Sequence, residues 1–276
     1  MGNYIKKKLY EKYPELHTAS EFYSIAREVR RSVFETTPHS FKIKGLKGID
    51  IRSYDIYETK IIKQYLSDSH VFVDVGANVG YYTCMAMAMG KHVVSIEPLF
   101  RNLEYLYVNL KANGWQDNIE IYPVGLSSKP GLATLYGIEQ AASLIQDWAG
   151  TSTKQRTIPL TTLDIILSGR FYGKKMLIKI DVEGAEYDIL KGAERALNTS
   201  PSPIWFIEIY LTEHHPEGIN NNFSNTFDIF FSNNYEPCAI DDGNLRVLSQ
   251  SDISYILKSR SNKDFGCNFI FKKKGA

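Results

Sequence analysis

The sequence predicts an α/β fold in which a largely parallel sheet carries helices on both faces. From Val71 onwards, short apolar runs alternate with segments of helical length, an order typical of parallel sheets. The stretch VDVGANVGYYT, which begins at Val73, places two glycines between an apolar run and a predicted helix. Such a strand-to-helix turn lets a ligand approach the backbone. We therefore expect a small-molecule site at the carboxyl ends of the strands.

The predicted strands are short, largely apolar runs, placed at His70–Val75, His92–Glu97, Ile119–Val124, Met176–Asp181, Pro203–Glu208, Tyr235–Ile240 and Gly266–Phe271. The predicted helices between them lie at Val79–Met89, Phe100–Asn113, Ala185–Leu197 and Asn222–Asn233. Between Ser127 and Arg170 the alternation stops, and the sequence there predicts an added hairpin followed by a short helix.

The N-terminal region, residues 1–56, is predicted to be an extension ahead of the main domain, residues 57–276. Apolar residues recur at helix spacing between Phe22 and Val33 and predict a helix. The stretch FKIKGLKGIDIRSYD predicts a β-hairpin, and YETKIIKQYL then predicts a short helix. We expect this helical and hairpin extension to form a lid or substrate wall on the sheet.

Composition narrows the class of protein. The 276 residues carry a formal net charge of +1 and are 43% hydrophobic, which fits a globular protein without a dominant polyanion-binding surface. The cysteines Cys84, Cys238 and Cys267 have neither metal-binding nor redox spacing. The sequence shows no signal-peptide core and no apolar run of about 20 residues. We expect a cytoplasmic protein without a nucleic-acid or membrane partner.

The glycine turn indicates which ligand it serves. A dinucleotide site favours G-x-G-x-x-G, whereas this chain has Gly76-x-Asn78-x-Gly80, with Asp74 before it. Glu97 ends the second predicted strand, where a carboxylate can accept both hydroxyl groups of an adenosine ribose. The carboxylate that can bind a ribose is thus present, whereas the glycine pattern that would bind a pyrophosphate is altered. S-adenosylmethionine, which contains adenosine but no phosphate, fits this pattern.

Several motifs also carry a family resemblance. FVDVGANVGYYT, SIEP, NLKANG, VGLSS, TTLD, LIKIDVEGAEYDILKGAERAL and IEIY, in this order, resemble the FkbM family of S-adenosylmethionine-dependent methyltransferases. The resemblance covers Tyr57 to Ile240. It implies a class I methyltransferase (Rossmann-like) fold, with a seven-stranded mixed sheet that ends in an antiparallel hairpin. It also implies O-methylation of a carbohydrate or secondary-metabolite acceptor, with a small molecule or glycan as partner.

The resemblance further implies which residues line the cofactor. They are Asp74, Gly76, Asn78, Gly80 and Glu97, with Ser127 near the adenine and Glu58 reaching the pocket from the preceding helix. The first fifty residues and the segment Gly137–Arg156 carry no family motif. We expect these two regions to determine the choice of acceptor.

Acidic residues at the ends of two predicted strands are the candidates for chemistry. Asp181 ends the fourth strand and Glu208 the fifth, and His214 follows shortly after. One of them can act as the base that a hydroxyl acceptor requires. Two alternatives stay open: Asp181 and Glu183 cap the following helix, or Lys179 pairs with a carboxylate. A divalent ion bound by the acids is a rival to the base.

Two other functions compete with O-methylation. A nucleic-acid methyltransferase would show a basic face, together with an Asn/Asp-Pro-Pro-aromatic turn where this chain has IDVEG. A catalytically silent scaffold would keep the fold without its cofactor motif. The sequence therefore favours an O-methyltransferase over both.

Overall fold

A computed structural model of the chain describes residue 8 and residues 12–137, 142–152 and 154–275. Its helices are α1 (Pro14–Arg31), α2 (Ile56–Asp68), α3 (Tyr81–Ala88), α4 (Phe100–Ala112), α5 (Leu163–Leu167), α6 (Glu186–Lys191), α7 (Glu194–Leu197), α8 (Phe223–Ser232) and α9 (Gln250–Ser259). Its strands are β1 (Glu35–Thr36), β2 (Lys42–Ile43), β3 (Val71–Val75), β4 (His92–Ile96), β5 (Glu120–Tyr122), β6 (Gly125–Leu126), β7 (Gly131–Tyr136), β8 (Gln155–Thr161), β9 (Met176–Ile180), β10 (Ile204–Glu208), β11 (Tyr235–Asp241), β12 (Asn244–Val247) and β13 (Asn268–Lys273).

The main sheet has the order β5-β4-β3-β9-β10-β13-β11-β12. Strands β5, β4, β3, β9 and β10 run parallel, and β13 lies antiparallel between β10 and β11. The predicted α/β fold with a mixed sheet is confirmed, including the antiparallel pairing of the last two predicted strands. A separate sheet contains β6, β8 and β7, and its β7–β8 pair is the predicted added hairpin.

The main sheet has eight strands in the described part of the chain, where the prediction was seven. The additional strand is β12, which pairs antiparallel with β11. The two strands are joined by Asp242 and Gly243, both with positive φ. Asp-Gly is a strong signal for a two-residue hairpin turn, so the sequence contained the evidence for this strand.

The predicted hairpin at FKIKGLKGIDIRSYD is wrong. Strand β2 pairs instead with β1, which precedes it, and the chain then enters turns. Gly45 has a φ of 103°, and a Cβ on it would lie 2.8 Å from the Tyr105 ring. At Gly45 the chain therefore packs closely against α4 in a backbone conformation that favours glycine, and it does not continue into a second strand.

The N-terminal region packs on one face of the sheet. Ile25 of α1 and Phe41 share a buried apolar cluster with Phe72 of β3 and Leu106 of α4. Arg101 on α4 donates to Glu28 of α1 at 2.6 Å. The opposite face of the sheet is covered mainly by α6, α7 and α8, through a second cluster. In the described ranges, no helix is both long and apolar enough to cross a membrane.

Candidate active site

A cavity of about 330 Å³ opens at the carboxyl ends of β3, β4, β9 and β10. The sequence predicts its ligand site at this edge of the sheet. The N-terminal region contributes Ile49 and Tyr54 to the cavity wall, and the insertion between β7 and β8 contributes Ala142 and Leu144. The part of this insertion at residues 138–141 lies outside the described residues, as does residue 153.

The glycines of the turn after β3 serve packing as well as ligand access. Gly76 lines the cavity, but with its φ of 81° a Cβ would lie 1.8 Å from the backbone oxygen of Asp181. Gly80 has a φ of 91°, and its Cβ would lie 2.4 Å from Leu106 Cδ1. The missing side chains thus make room for the end of β9 and for α4. Contact of the ligand with both glycines stays a prediction, and of the two only Gly76 lines the cavity.

Glu97 is a buried carboxylate that the cavity reaches. Its side chain is 5% exposed. Oε2 accepts a hydrogen bond from the Asn78 N–H at 2.9 Å, and Oε1 accepts one from the Leu99 N–H at 2.8 Å. Burial raises the pKa of Glu97 to about 7, against the lowering effect of these bonds. The two backbone bonds fix the orientation of the carboxylate toward the cavity.

Two amide oxygens beside Glu97 lack partners. The Oδ1 atoms of Asn78 and Asn102 are buried without a hydrogen bond in the described part of the chain, and both residues line the cavity. Buried polar atoms are nearly always satisfied, so these acceptors indicate a ligand with hydroxyl or amino donors. Apolar side chains such as Ile96 and Leu126 line the same region. These residues fit the adenosine of S-adenosylmethionine.

Besides Gly80, three predicted cofactor residues lie outside the cavity lining. Asp74 is 1% exposed and accepts a hydrogen bond from Thr83 of α3 at 2.7 Å. The Ser127 N–H donates to the backbone of β8, and the preceding residues 124–126 line the cavity instead. Glu58 accepts a hydrogen bond from Asn268 at 3.3 Å. A role for these three residues in binding therefore stays a prediction without a direct contact to the cavity.

A buried ion pair lies beneath the acidic end of the cavity. Lys179 Nζ lies 2.8 Å from Asp181 Oδ2, and the two side chains are 4% and 35% exposed. Burial by itself would raise the pKa of Asp181, but the charge and hydrogen bond of Lys179 hold it below its usual value. Burial and the charge of Asp181 raise the pKa of Glu208 well above its usual value. The pKa values of Asp181 and Glu208 are thus shifted in opposite directions, which favours a proton on Glu208 rather than on Asp181.

Glu183 is the third acid at this end. It has a φ of 58°, and its Oε2 accepts a hydrogen bond from Trp148 Nε1 at 2.7 Å. Ser143 donates to its backbone oxygen. Burial, together with the charge of Asp181, raises the pKa of Glu183 to about 7. The insertion between β7 and β8 therefore positions this carboxylate.

The helix-cap interpretation is wrong for both Asp181 and Glu183. Helix α6 has no side-chain cap at its N-cap residue, Ala185. The Gly184 N–H donates instead to Oε1 of Glu186 at 2.9 Å. Asp181 pairs with Lys179, which is the other alternative that the sequence left open. Both acids line the cavity, so their carboxylates are available to a ligand.

The His214–His215 pair lies behind aromatic side chains. His214 is exposed and absent from the described cavity lining, and its ring centroid lies 5.0 Å from that of Tyr210. The His215 ring packs edge-on against Trp148 at 4.5 Å. Tyr210 stands between His214 and the acids, because its hydroxyl donates to Glu208 Oε1 at 3.0 Å. The structure therefore does not bring His214 together with Asp181 and Glu208.

The N-terminal region adds residues to the cavity that were not predicted from the sequence. Asp55 lines the cavity beside Tyr54 and accepts a hydrogen bond from the Tyr82 hydroxyl at 3.0 Å. Asp55 adopts a positive φ of 43°, and it falls within the stretch that was expected to be a hairpin. Nothing in the local pattern distinguishes it from a turn aspartate. Tyr210, by contrast, ends the quoted IEIY motif.

The three acids could also hold a cation. One carboxylate oxygen from each of Asp181, Glu183 and Glu208 lies within 4.8 Å of the others. Oxygen ligands at this spacing suit a hard divalent ion. Binding would require Glu208 to lose the proton that burial favours, so affinity would rise with pH.

Comparison with known proteins places the chain in a family. Residues 74–237 match the profile described as "Methyltransferase FkbM domain". Among curated protein sequences, none matches the chain significantly. The methyltransferase FkbM from Methylobacillus flagellatus KT is similar in structure, with 18% identity and a TM-score of 0.44, over 74% of this chain and 44% of that one. The chain thus spans less than half the length of that relative.

Two further solved structures are similar at low identity. An O-methyltransferase from Bacillus cereus in complex with SAH has 11% identity and a TM-score of 0.42, over 82% of this chain and 83% of that one. A 16S rRNA N2 G1207 methyltransferase from T. thermophilus, in complex with AdoMet and guanosine, has 12% identity and a TM-score of 0.40. That match covers 73% of this chain and 46% of the other.

The family match spans more than half of the chain. It includes the turn after β3, the carboxylate that follows β4 and the acids at the ends of β9 and β10. The chain therefore belongs to the FkbM family of methyltransferases.

Proposed function

We propose that this chain transfers the methyl group of S-adenosylmethionine to a hydroxyl of a carbohydrate or secondary-metabolite acceptor. The observation that carries the proposal is the position of Asp181, which lines the cavity and lies 2.8 Å from Lys179 Nζ. A hydroxyl acceptor must be positioned and must lose its proton during the reaction. A carboxylate that stays ionised at neutral pH can accept its hydrogen bond.

The other end of the cavity is proposed to hold the cofactor. Glu97 would accept hydrogen bonds from the ribose hydroxyls, because its two oxygens are already oriented by backbone N–H groups. Asn78 and Asn102 offer unpaired acceptors beside it. When bound, S-adenosylmethionine supplies an electrophilic methyl group. The chain supplies the orientation of that group and a cavity that restricts the access of water.

Three acids are available for the proton of the acceptor. Asp181 has the lowered pKa, so we propose that it orients the hydroxyl, while Glu183, with a pKa of about 7, is better matched to accept the proton near neutral pH. Glu208, protonated beside Asp181, would donate a hydrogen bond rather than act as a base. His214 is not proposed as the base, because its exposed ring lies beyond Tyr210.

The N-terminal region and the β7–β8 insertion are proposed to form the acceptor wall. Ile49, Tyr54 and Asp55 line the cavity from the first region, and Ala142 and Leu144 line it from the second. Both regions lack family motifs, which supports a role in the choice of acceptor. No observation favours the nucleic-acid alternative, since the formal net charge of the chain is only +1.

The test measures methyl transfer from labelled S-adenosylmethionine to a panel of hydroxyl acceptors. Glu183→Gln should lower turnover by about 10²–10⁴, the usual contribution of a general base, while binding of S-adenosylhomocysteine changes little. The matched control is Asp188→Asn, an exposed acid of α6 that pairs with Lys191. Unchanged turnover in Glu183→Gln would exclude this residue as the base.

A second measurement separates a base from a metal ion. A chelator should leave the wild-type rate unchanged if the carboxylates act directly. Loss of activity with a chelator, restored by Mg²⁺ or Mn²⁺, would favour an ion held by Asp181, Glu183 and Glu208.

A further inference from the structure

We propose that the acceptor end of this cavity selects hydroxyl compounds without negative charge and favours those with a protonated amine near the reacting hydroxyl, such as amino alcohols or amino sugars. The inference rests on the proposed function, since it names the class of acceptor for the same site. It follows from the chemical groups that line this end of the cavity.

Carboxyl groups and tyrosines line the acceptor end. Asp55, Asp181, Glu183 and Glu208 contribute the acids, and three of these acids offer oxygens within 4.8 Å of one another. The described lining contains no lysine, arginine or histidine. An anionic group bound here would face carboxylates, which repel it and cannot donate hydrogen bonds to it. An ammonium group would instead donate hydrogen bonds to these carboxylates.

The nearest cation is already engaged. Lys179 is 3% exposed, its Nζ lies 2.8 Å from Asp181 Oδ2, and it does not line the described cavity. Lys179 Nζ also lies over the Tyr82 ring, 5.2 Å from the ring centroid. Lys179 therefore neutralises one carboxylate but cannot reach a phosphate, sulfate or carboxylate of an acceptor.

Repulsion of an anion is large enough to set selectivity. Two like unit charges about 5 Å apart, at an effective dielectric constant of about 20, repel enough to weaken binding by about 10²-fold. S-adenosylmethionine carries one net positive charge, which offsets one carboxylate. With Asp181 neutralised by Lys179, the carboxyl groups of Asp55 and Glu183 are the acids that remain to meet an anion, and burial raises the pKa of both.

The experiment uses small metabolites from a cell extract, separated by ion exchange into cationic, neutral and anionic fractions. Each fraction is incubated with the full chain and S-adenosylmethionine labelled at the methyl group. We expect the label in the cationic and neutral fractions and at least 10²-fold less in the anionic one. Label confined to the anionic fraction, or equal in all three, would overturn the inference.

Variants at the cavity mouth provide a second readout. Asp55→Asn should raise the anionic share of the label by about tenfold. The control Asp50→Asn removes an exposed acid from the same N-terminal region, one that pairs with Arg52, and should leave the share unchanged. An unchanged share in Asp55→Asn would also count against the inference. Label in no fraction, although calorimetry shows that S-adenosylmethionine binds, would overturn the proposed function and this inference with it.

Discussion

Removal of Asp181's charge should destabilise the protein through Lys179. The ammonium is 4% exposed and lies 2.8 Å from the carboxylate, so Asp181→Asn leaves a buried charge with a weaker partner. Loss of one member of a buried pair costs about 3–5 kcal/mol, and we expect the lower end, because Asp181 itself is 35% exposed. For a chain of this size, about 3 kcal/mol corresponds to a fall in Tm of roughly 6–12 °C.

A double-mutant cycle tests the cause of this loss. Lys179→Met should cost a similar amount, because it leaves Asp181 and Asp74 without their cation. The double variant Lys179→Met/Asp181→Asn should lose less stability than the sum of the two single losses, since Lys179 and Asp181 are then both removed and only Asp74 still lacks its cation, but its turnover should stay low. Thermal and urea unfolding provide the free energies. Additive losses in the double variant would refute the coupling.

Three further predictions concern the remainder of the site. Gly76→Ala should lower the free energy of unfolding by about 3 kcal/mol more than Gly114→Ala does. The two glycines have similar φ (81° and 75°), but only at Gly76 would the new Cβ meet a backbone atom. Urea unfolding of the two variants measures the difference. Glu97→Gln should weaken S-adenosylhomocysteine binding by about 10–100-fold in calorimetry. Trp148→Phe should raise the pKa of Glu183 and move the acidic limb of the pH–rate profile upward, because it removes a hydrogen bond that lowers this pKa.

Glu97 also gives stability a pH dependence with a definite sign. Burial raises its pKa from 4.5 to about 7, so the folded state holds this proton more tightly than the unfolded one. The associated stability is fully present below about pH 4.5 and is lost as the pH rises through about 7. Glu97→Gln should flatten this decline in a series of thermal unfolding curves. A decline of equal steepness in the variant would contradict the assignment to Glu97.

The sequence predicted the parallel strands well, because each is a short, largely apolar run. The predicted strand His92–Glu97 exceeds β4 (His92–Ile96) by one residue. Helix Ala185–Leu197 was predicted as continuous, but the structure divides it into α6 and α7. Gly192 lies between them, where a Cβ would be 2.3 Å from the Ser127 backbone oxygen. Such a tertiary contact cannot be inferred from helical periodicity.

The predicted residues that line the cavity either end strands or lie in the turn after β3. Glu97, Asp181 and Glu208 could be placed because parallel strands end at one edge of the sheet. Asp55 and Trp148 lie in irregular segments, and their positions depend on packing against Tyr82 and Glu183. Local patterns carry no information about such long-range contacts. Cavity residues in irregular segments could therefore not be predicted from the sequence.

Strand register links the ion pair to the fold. In the parallel pairing of β3 with β9, Asp74 lies opposite Lys179, and Asp181 lies two residues further along, on the same side of the chain. Lys179 can therefore lie between a fully buried acid and an acid that lines the cavity. A slip of one residue in this pairing would turn Lys179 to the other face, into the apolar cluster that contains Ile178 and Ile180. The burial that specifies the register thus also places the charge that keeps Asp181 ionised.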